Sequence, residues 1–339
     1  MIVEAPAPDT NAESRRREPA IQARNLVKVY KGSVRALDNL SFEVEAGIVF
    51  GLLGPNGAGK SSTVKILTTL SRPDSGQALV DGVDVLRRPN EVRRRIGCIG
   101  QKSGVDREAT GRENLTLQGQ LFGLRGRRLK SRVSELLERF NLAEAADRVV
   151  RNYSGGMSRR LDIAIGLVHK PRVLFMDEPT TGLDPEVRVD MWDEIARLAR
   201  EENITVLLTT HYLEEADRLA QRLVIVDQGR IVAEGSPEDL KSELGGDVVQ
   251  IAIRHGSSTA TAASVLQGLV EVSEVAVDGS ILRARAADGA AAVPVVLSRL
   301  EAEGIGVSSV TVSRPSLDDV YLRYAGRSFE KADREGAGA

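Results

Sequence analysis

The chain carries two hydrophobic periods, and they divide it. Residues 48–53 (Ile-Val-Phe-Gly-Leu-Leu), 173–176 (Val-Leu-Phe-Met) and 206–210 (Val-Leu-Leu-Thr-Thr) form short runs without polar alternation. Such runs predict strands buried on both faces, as in a parallel sheet. Behind the first run, Val64 and Leu67 fall three apart, as on one face of a helix. From about 105 to 160 the pattern turns helical, with Val133, Leu136, Leu137 and Phe140 at i, i+3, i+4 and i+7. After Gly245-Gly246 the style changes. Residues 247–254, 281–286 and 307–313 read as strands, and alanine-rich stretches at 259–269 and 291–303 read as helices.

These periods give an α/β class and four segments. Residues 21–245 form a core with a parallel sheet and a helical subdomain inserted at about 105–160. Residues 246–325 form a small α+β appendage, read either as a packing or dimer-stabilising module or as a regulatory one. Residues 1–20, with Pro6, Pro8, Pro19 and the run Arg15-Arg16-Arg17, read as a flexible, solvated tail, and 326–339 as a frayed one. The tail lacks the apolar core of a secretory signal. Nowhere do about 20 apolar residues follow one another, so the chain has no membrane span of its own. With 46 basic and 48 acidic side chains, no overall field draws it to nucleic acid. The arginines at 93–95 and Arg125, Arg127 and Arg128 read as solvated faces. Cys98, the only cysteine, lies in an apolar run and reads as a small buried hydrophobe.

Two short stretches carry chemistry. Residues 54–61 read Gly-Pro-Asn-Gly-Ala-Gly-Lys-Ser, which fits the glycine-rich phosphate loop between a strand and a helix. Gly54, Gly57 and Gly59 allow φ > 0 and close backbone approach, and the helix N-terminus adds its dipole. Lys60 supplies a mobile charge for the β- and γ-phosphates, and Ser61 a hydroxyl for Mg²⁺. Residues 174–178, Leu-Phe-Met-Asp-Glu, end an apolar strand in two carboxylates. Asp177 is placed to hold Mg²⁺, and Glu178 to orient or deprotonate a water. The core is therefore read as a P-loop nucleoside triphosphatase that binds and cleaves ATP or GTP.

A third segment, Asn-Tyr-Ser-Gly-Gly-Met-Ser-Arg-Arg-Leu at 152–161, resembles the signature of ATP-binding cassette proteins. The run Pro-Thr-Thr-Gly-Leu-Asp-Pro at 179–185, with Tyr30, Gln101 and His211 in order, is similar to that family over about 21–245. The resemblance implies that Tyr30 stacks on adenine, and that Gly54, Pro55, Asn56, Gly57, Ala58, Gly59, Lys60, Ser61 and Ser62 hold the phosphates. Gln101 would reach Mg²⁺ and the attacking water, Glu178 would be the general base, and His211 would sense the γ-phosphate. Ser154, Gly155 and Gly156 would touch ATP held by a second copy in a head-to-tail dimer, with Asp184 at the seam.

The signature departs from the common form at Tyr153 and Met157, where leucine and glutamine are usual. This form, with 110–115 (Thr-Gly-Arg-Glu-Asn-Leu) and 315–322 (Pro-Ser-Leu-Asp-Asp-Val-Tyr-Leu), looks like the branch of exporter ATPases that includes daunorubicin/doxorubicin-resistance subunits. The implied protein is a peripheral ATPase on the cytoplasmic face of the cell membrane, powering a separate polytopic permease for drug export. Lipid or polysaccharide cargo stays open. A cassette ATPase working on nucleic acid or ribosomes is the alternative, disfavoured by a single cassette and balanced charge.

Overall fold

The structure, a computed structural model, describes residues 18–32, 34–254 and 258–337. The arginine run at 15–17 lies outside them. The chain divides into two compact units, one ending at Ile231 and one starting at Val232.

The first unit opens with the long antiparallel pair β1 (Ile21–Tyr30) and β2 (Val34–Val44). It continues through β3 (Val49–Leu53), α1 (Lys60–Leu67), β4 (Ser75–Val80), β5 (Val83–Asp84), α2 (Pro89–Arg95) and β6 (Ile96–Ile99). The helical insertion holds α3 (Gly111–Leu121), α4 (Gly126–Arg139), a 3-10 turn at Val150–Asn152 and α5 (Gly155–Leu167). The chain then alternates through β7 (Val173–Asp177), α6 (Pro185–Glu202), β8 (Thr205–Thr210), α7 (Leu213–Leu219) and β9 (Arg222–Asp227) to β10 (Arg230–Gly235), within which the first unit ends.

A six-stranded sheet runs in the order β10-β9-β3-β8-β7-β6, with β3, β6, β7, β8 and β9 paired in parallel. Its apolar runs are continuous because both faces are covered. Val173 and Phe175 point into a core shared with the antiparallel sheet β2-β1-β4-β5. Leu174 and Met176 point into a second core, filled by Leu115, Val133, Leu136, Leu137, Phe140 and Trp192 from the helices. The helical stripe expected at 133–140 is thus the buried face of α4 and its C-cap. The antiparallel sheet was not anticipated, although β2 buries Leu40, Phe42 and Val44 in strict alternation. Cys98 is a correction: its strand β6 is the sheet edge, and its side chain is exposed there.

The second unit contains α8 (Pro237–Ser242), β11 (Asp247–Ile253), α9 (Thr259–Gln267), β12 (Ser273–Asp278), β13 (Ile281–Ala286), α10 (Gly289–Ala302), β14 (Val307–Ser313), α11 (Leu317–Ala325) and α12 (Phe329–Ala337). Its strands form an antiparallel sheet, β12-β13-β11-β14, with Val249, Ile251 and Leu282 packed against Leu266, Val296 and Leu300 of α9 and α10. The unit begins earlier than the expected division at 245/246, because residues before it bond to the rest of the unit. Arg285 donates to the carbonyls of Leu244 and Gly245, and the Tyr324 hydroxyl donates to Glu243. Among the described residues, no helix is long and apolar enough to cross a membrane.

The expected fraying from 326 is also corrected, because α12 occupies most of that stretch. Gly326 ends α11 in the left-handed conformation, and the Phe329 N–H then donates to Asp318 at 3.2 Å. The Phe329 ring is buried and meets Tyr321 edge-on at 4.9 Å, with Ala332 buried one turn on. The charges that suggested a loose end lie around these two anchors. Replacing Phe329 by Ala should therefore lower the unfolding free energy of this unit by about 3–5 kcal/mol. Denaturant unfolding checks this, and an unchanged midpoint would show that α12 is not packed.

Candidate functional site

Register within the parallel sheet decides what meets at its C-terminal edge. Leu53 of β3 lies opposite Thr210 of β8, and Asp177 of β7 opposite Thr209. The loop after Leu53, the carboxylates ending β7 and His211 after Thr210 therefore emerge at one level. Ligands of open α/β sheets collect at this edge.

Gly57 and Gly59 bend the phosphate loop with φ of 77° and 109°. Gly54 is needed for a different reason from the one expected. Its φ is not positive, but a Cβ there would lie 2.3 Å from the Val226 carbonyl oxygen. Lys60 opens α1 and is buried, with Nζ donating to the carbonyls of Gly54 at 2.6 Å and Pro55 at 3.0 Å. The same Nζ stands 3.8 Å from Glu178 Oε1. Ser61 Oγ donates to Asp177 Oδ1 over a long 3.5 Å. Tyr30, 40 % exposed at the end of β1, accepts at its hydroxyl from Ser62 Oγ at 3.3 Å, so an open aromatic ring stands beside the loop.

Glu178 is the centre of the cluster. Its backbone takes φ 48°, uncommon for a residue with a side chain and a frequent mark of functional positions. Gln101 Nε2 donates to Glu178 Oε2 at 3.1 Å, and Thr181 Oγ1 donates to the same oxygen at 3.4 Å. His211 Nδ1 lies 3.1 Å from Glu178 Oε1, out of line for a straight hydrogen bond. This His211 contact holds the Glu178 carboxyl below its ordinary value. Burial pushes the other way, and the charges of His211 and Lys60 add to the lowering.

Sequence reasoning missed Thr209. Its hydroxyl donates to Asp177 Oδ1 at 2.6 Å and accepts from the Glu178 N–H at 3.1 Å, so one buried side chain orients both carboxylates. A polar pair ending an otherwise apolar strand was the available signal. Thr181, on the loop after Glu178, was likewise not singled out.

The structure brings Lys60, Ser61, Gln101, Asp177, Glu178 and His211 together. It does not bring the signature to them. Ser154 is the N-cap of α5, its Oγ accepting from the Met157 N–H at 3.2 Å, and Ser154 and Gly155 are exposed. A Cβ on Gly155 would meet nothing within 4 Å. Asp184 is likewise exposed, at the N-cap of α6. The departures at Tyr153 and Met157 make contacts of their own. The Tyr153 hydroxyl donates to the Ala145 carbonyl at 2.7 Å, while Arg148 covers the Tyr153 ring at 5.3 Å and points Nη2 at Met157 Sδ.

Comparison with known proteins bears on this arrangement. Residues 37–181 match the family described as ABC transporter, and residues 235–325 match the C-terminal domain of DrrA1-3-like ATP-binding proteins. The daunorubicin resistance ATP-binding protein DrrA2 of Streptomyces coeruleorubidus is 46 % identical over 322 residues, covering 94 % of this chain and 98 % of that protein. The Nod factor export ATP-binding protein I of Cupriavidus metallidurans is 40 % identical over 311 residues, covering 91 % and 98 %. Among solved structures, a dimeric ATP-binding cassette in a post-hydrolysis state, bound to ADP and Pi, aligns with a TM-score of 0.59. It is 25 % identical, over 64 % of this chain and 98 % of that one.

Two outcomes follow from the geometry. If Lys60 meets phosphate as the sequence predicts, Lys60→Ala would remove charge-assisted bonds contributing about 1.5–3 kcal/mol each, so ATP affinity should fall roughly tenfold or more. Calorimetry showing unchanged affinity would contradict this placement of Lys60. A carboxyl with a lowered folded-state pKa stabilises the fold above its unfolded value and loses that contribution as pH falls through the folded one. Urea midpoints should therefore drop on acidification below about 4.5, and Glu178→Gln should flatten that part of the profile. Superimposable profiles would mean that the contacts of Glu178 do not hold its charge.

Proposed function

Because this chain belongs to the ABC transporter family as an ATP-binding and ATP-hydrolysing subunit of an exporter, we propose that Glu178 is its general base. The further proposals are that two copies close head to tail over two ATP molecules, and that the cargo is a hydrophobic drug. One observation carries the catalytic part: the Glu178 carboxylate is held at once by Gln101, His211 and Lys60, beside Asp177 and Ser61.

Adenine stacks on Tyr30, and the loop from Gly54 to Ser62 receives the phosphates with its backbone N–H groups and the N-terminus of α1. Lys60 then exchanges the Gly54 and Pro55 carbonyls for phosphate oxygens. Gln101 and Glu178 orient the attacking water, Glu178 accepts its proton, and His211 faces the γ-phosphate.

The residues fit a magnesium ion. Ser61 and Asp177 offer two hard oxygens side by side, with the Gln101 amide close by. Among the described residues no set of three or more His, Cys, Asp or Glu could hold a metal. Mg²⁺ needs none, since it binds through one or two protein ligands together with phosphate oxygens and water. Bound there, it would neutralise charge developing on the β- and γ-phosphates.

Three observations support the dimer. Ser154 and Gly155 are exposed at the start of α5, Gly155 has free space around it, and the similar cassette with ADP and Pi is dimeric. Closure on ATP and opening after hydrolysis would drive a separate polytopic permease, with this chain peripheral on the cytoplasmic face of the membrane. The similarity to a daunorubicin resistance ATP-binding protein over 94 % of this chain supports drug cargo. The similarity to Nod factor export ATP-binding proteins makes a cargo other than a drug the second reading.

Glu178→Gln should cut turnover by about 10²–10⁴ and leave ATP binding intact. Size-exclusion chromatography with ATP should then show a trapped dimer. Near-normal turnover would overturn the role of Glu178, and a monomer under saturating ATP would overturn the two-site arrangement.

A further inference from the structure

Arg159 lies one turn inside α5, the helix opened by Ser154, Gly155 and Gly156, and is only 7 % exposed. Its guanidinium is spent on two segments of the catalytic site. Nη1 donates to the carbonyl of Gly100 at 2.8 Å, immediately before Gln101. Nε donates to the carbonyl of Pro179 at 2.7 Å, immediately after Glu178. On the same face of α5, Asp162 accepts from the Gly104 N–H at 3.0 Å and stands 3.8 Å from Arg159. The loop carrying Gln101 is thus pinned on both sides by one helix.

A second buried charge holds the next residue of the Glu178 segment. Thr180 Oγ1 donates to Glu215 Oε1 at 2.7 Å, and Trp192 Nε1 donates to the same oxygen at 3.0 Å. Thr180 and Glu215 are fully buried. Glu215 lies on α7, which begins just after His211. Segments bearing Gln101, Glu178 and His211 therefore meet over one arginine and one glutamate.

Packing alone would not select this arrangement. Arg159 Nη2 and Glu215 Oε2 are buried without a hydrogen bond, each a cost that an apolar side chain would avoid. A planar fork, however, holds two carbonyls in a fixed relation, as a lysine ammonium cannot. Because an α-helix is stiff along its axis, a shift at Ser154 reaches Arg159 and, through it, both carbonyls.

We propose that Arg159 is a positioning residue joining the signature end of α5 to the Gln101 and Glu178 segments of the same chain, so that ATP gripped on one side of the dimer sets the catalytic geometry of the other. This rests on the two-site reading above. Occupancy of one site then changes the activity of its neighbour, and ATP hydrolysis is cooperative.

The test measures steady-state ATPase rate against MgATP concentration for the full chain and for Arg159→Lys, with ATP affinity by calorimetry and folding by thermal unfolding. The wild type should give a Hill coefficient clearly above 1. Arg159→Lys should bring it to about 1 and lower kcat roughly tenfold, with ATP affinity changed by less than about threefold. A merely structural arginine would shift thermal unfolding and leave the Hill coefficient alone. Should Arg159→Lys fail to fold, Arg159→Met, which keeps the length of the stem and removes the cation, is read the same way. A folded variant with wild-type cooperativity and kcat overturns the proposal. A non-cooperative wild type that stays monomeric overturns the dimer itself, and is recognised without any substitution.

Discussion

Everything chemical in this protein depends on the register of a parallel sheet. Four segments far apart in sequence must deliver a lysine, two carboxylates, a glutamine and a histidine to one place. The pairings Leu53 with Thr210, Asp177 with Thr209 and Ile99 with Met176 bring them out at a common edge. Slipping a strand by one residue would exchange every side chain between the two cores. Phe175 would leave the core shared with the antiparallel sheet, and Met176 the helical one. The packing on both faces therefore fixes the site, and two dry faces resist slippage more than one would. The geometry of this cluster is in this sense a property of side chains buried in the two cores.

The same edge concentrates charge, and the structure handles it with neighbours rather than with water. Lys60 and Glu178 are both largely buried and 3.8 Å apart, so each makes the other tolerable. The left-handed backbone at Glu178 turns its carboxylate toward this group. Thr209 keeps its N–H in place while fixing Asp177. These neighbours, His211 foremost, hold the Glu178 carboxyl below its ordinary value.

The sequence made the motifs legible because they are local. A glycine-rich loop between a strand and a helix needs only consecutive residues, and so do the two carboxylates ending β7. Strands β13 and β14 were equally readable from their own patterns. What stayed hidden depends on partners distant in sequence. Thr209 is an ordinary strand threonine until β7 lies beside it. Arg159 sits in a polar stretch of α5, and nothing local marks it as the holder of Gly100 and Pro179. The antiparallel sheet was overlooked because Val34–Val44 mixes charge with its alternation. The last helix was hidden because its burial rests on two residues, Phe329 and Ala332, set among many charges. Cys98 misled for the reverse reason: apolar neighbours suggested burial, but an edge strand leaves one side open.

The departures at Tyr153 and Met157 show how a motif is kept while its surroundings change. In the proposed dimer Ser154, Gly155 and Gly156 would present donors in a fixed direction, which requires something behind them to hold the start of α5. Here the Tyr153 hydroxyl reaches the Ala145 carbonyl, and a Cβ on Gly111 would lie 2.4 Å from that hydroxyl oxygen. Gly111 thus makes room for the tyrosine, and the first turn of α3 becomes part of the support. Arg148 completes it by lying on the Tyr153 ring and against the Met157 sulfur. The bracing is aromatic and cationic in place of leucine and glutamine, and it leaves the exposed glycine untouched. A helix held firmly at its start by Tyr153 and gripping the catalytic loops one turn further on by Arg159 is suited to transmit displacement rather than absorb it.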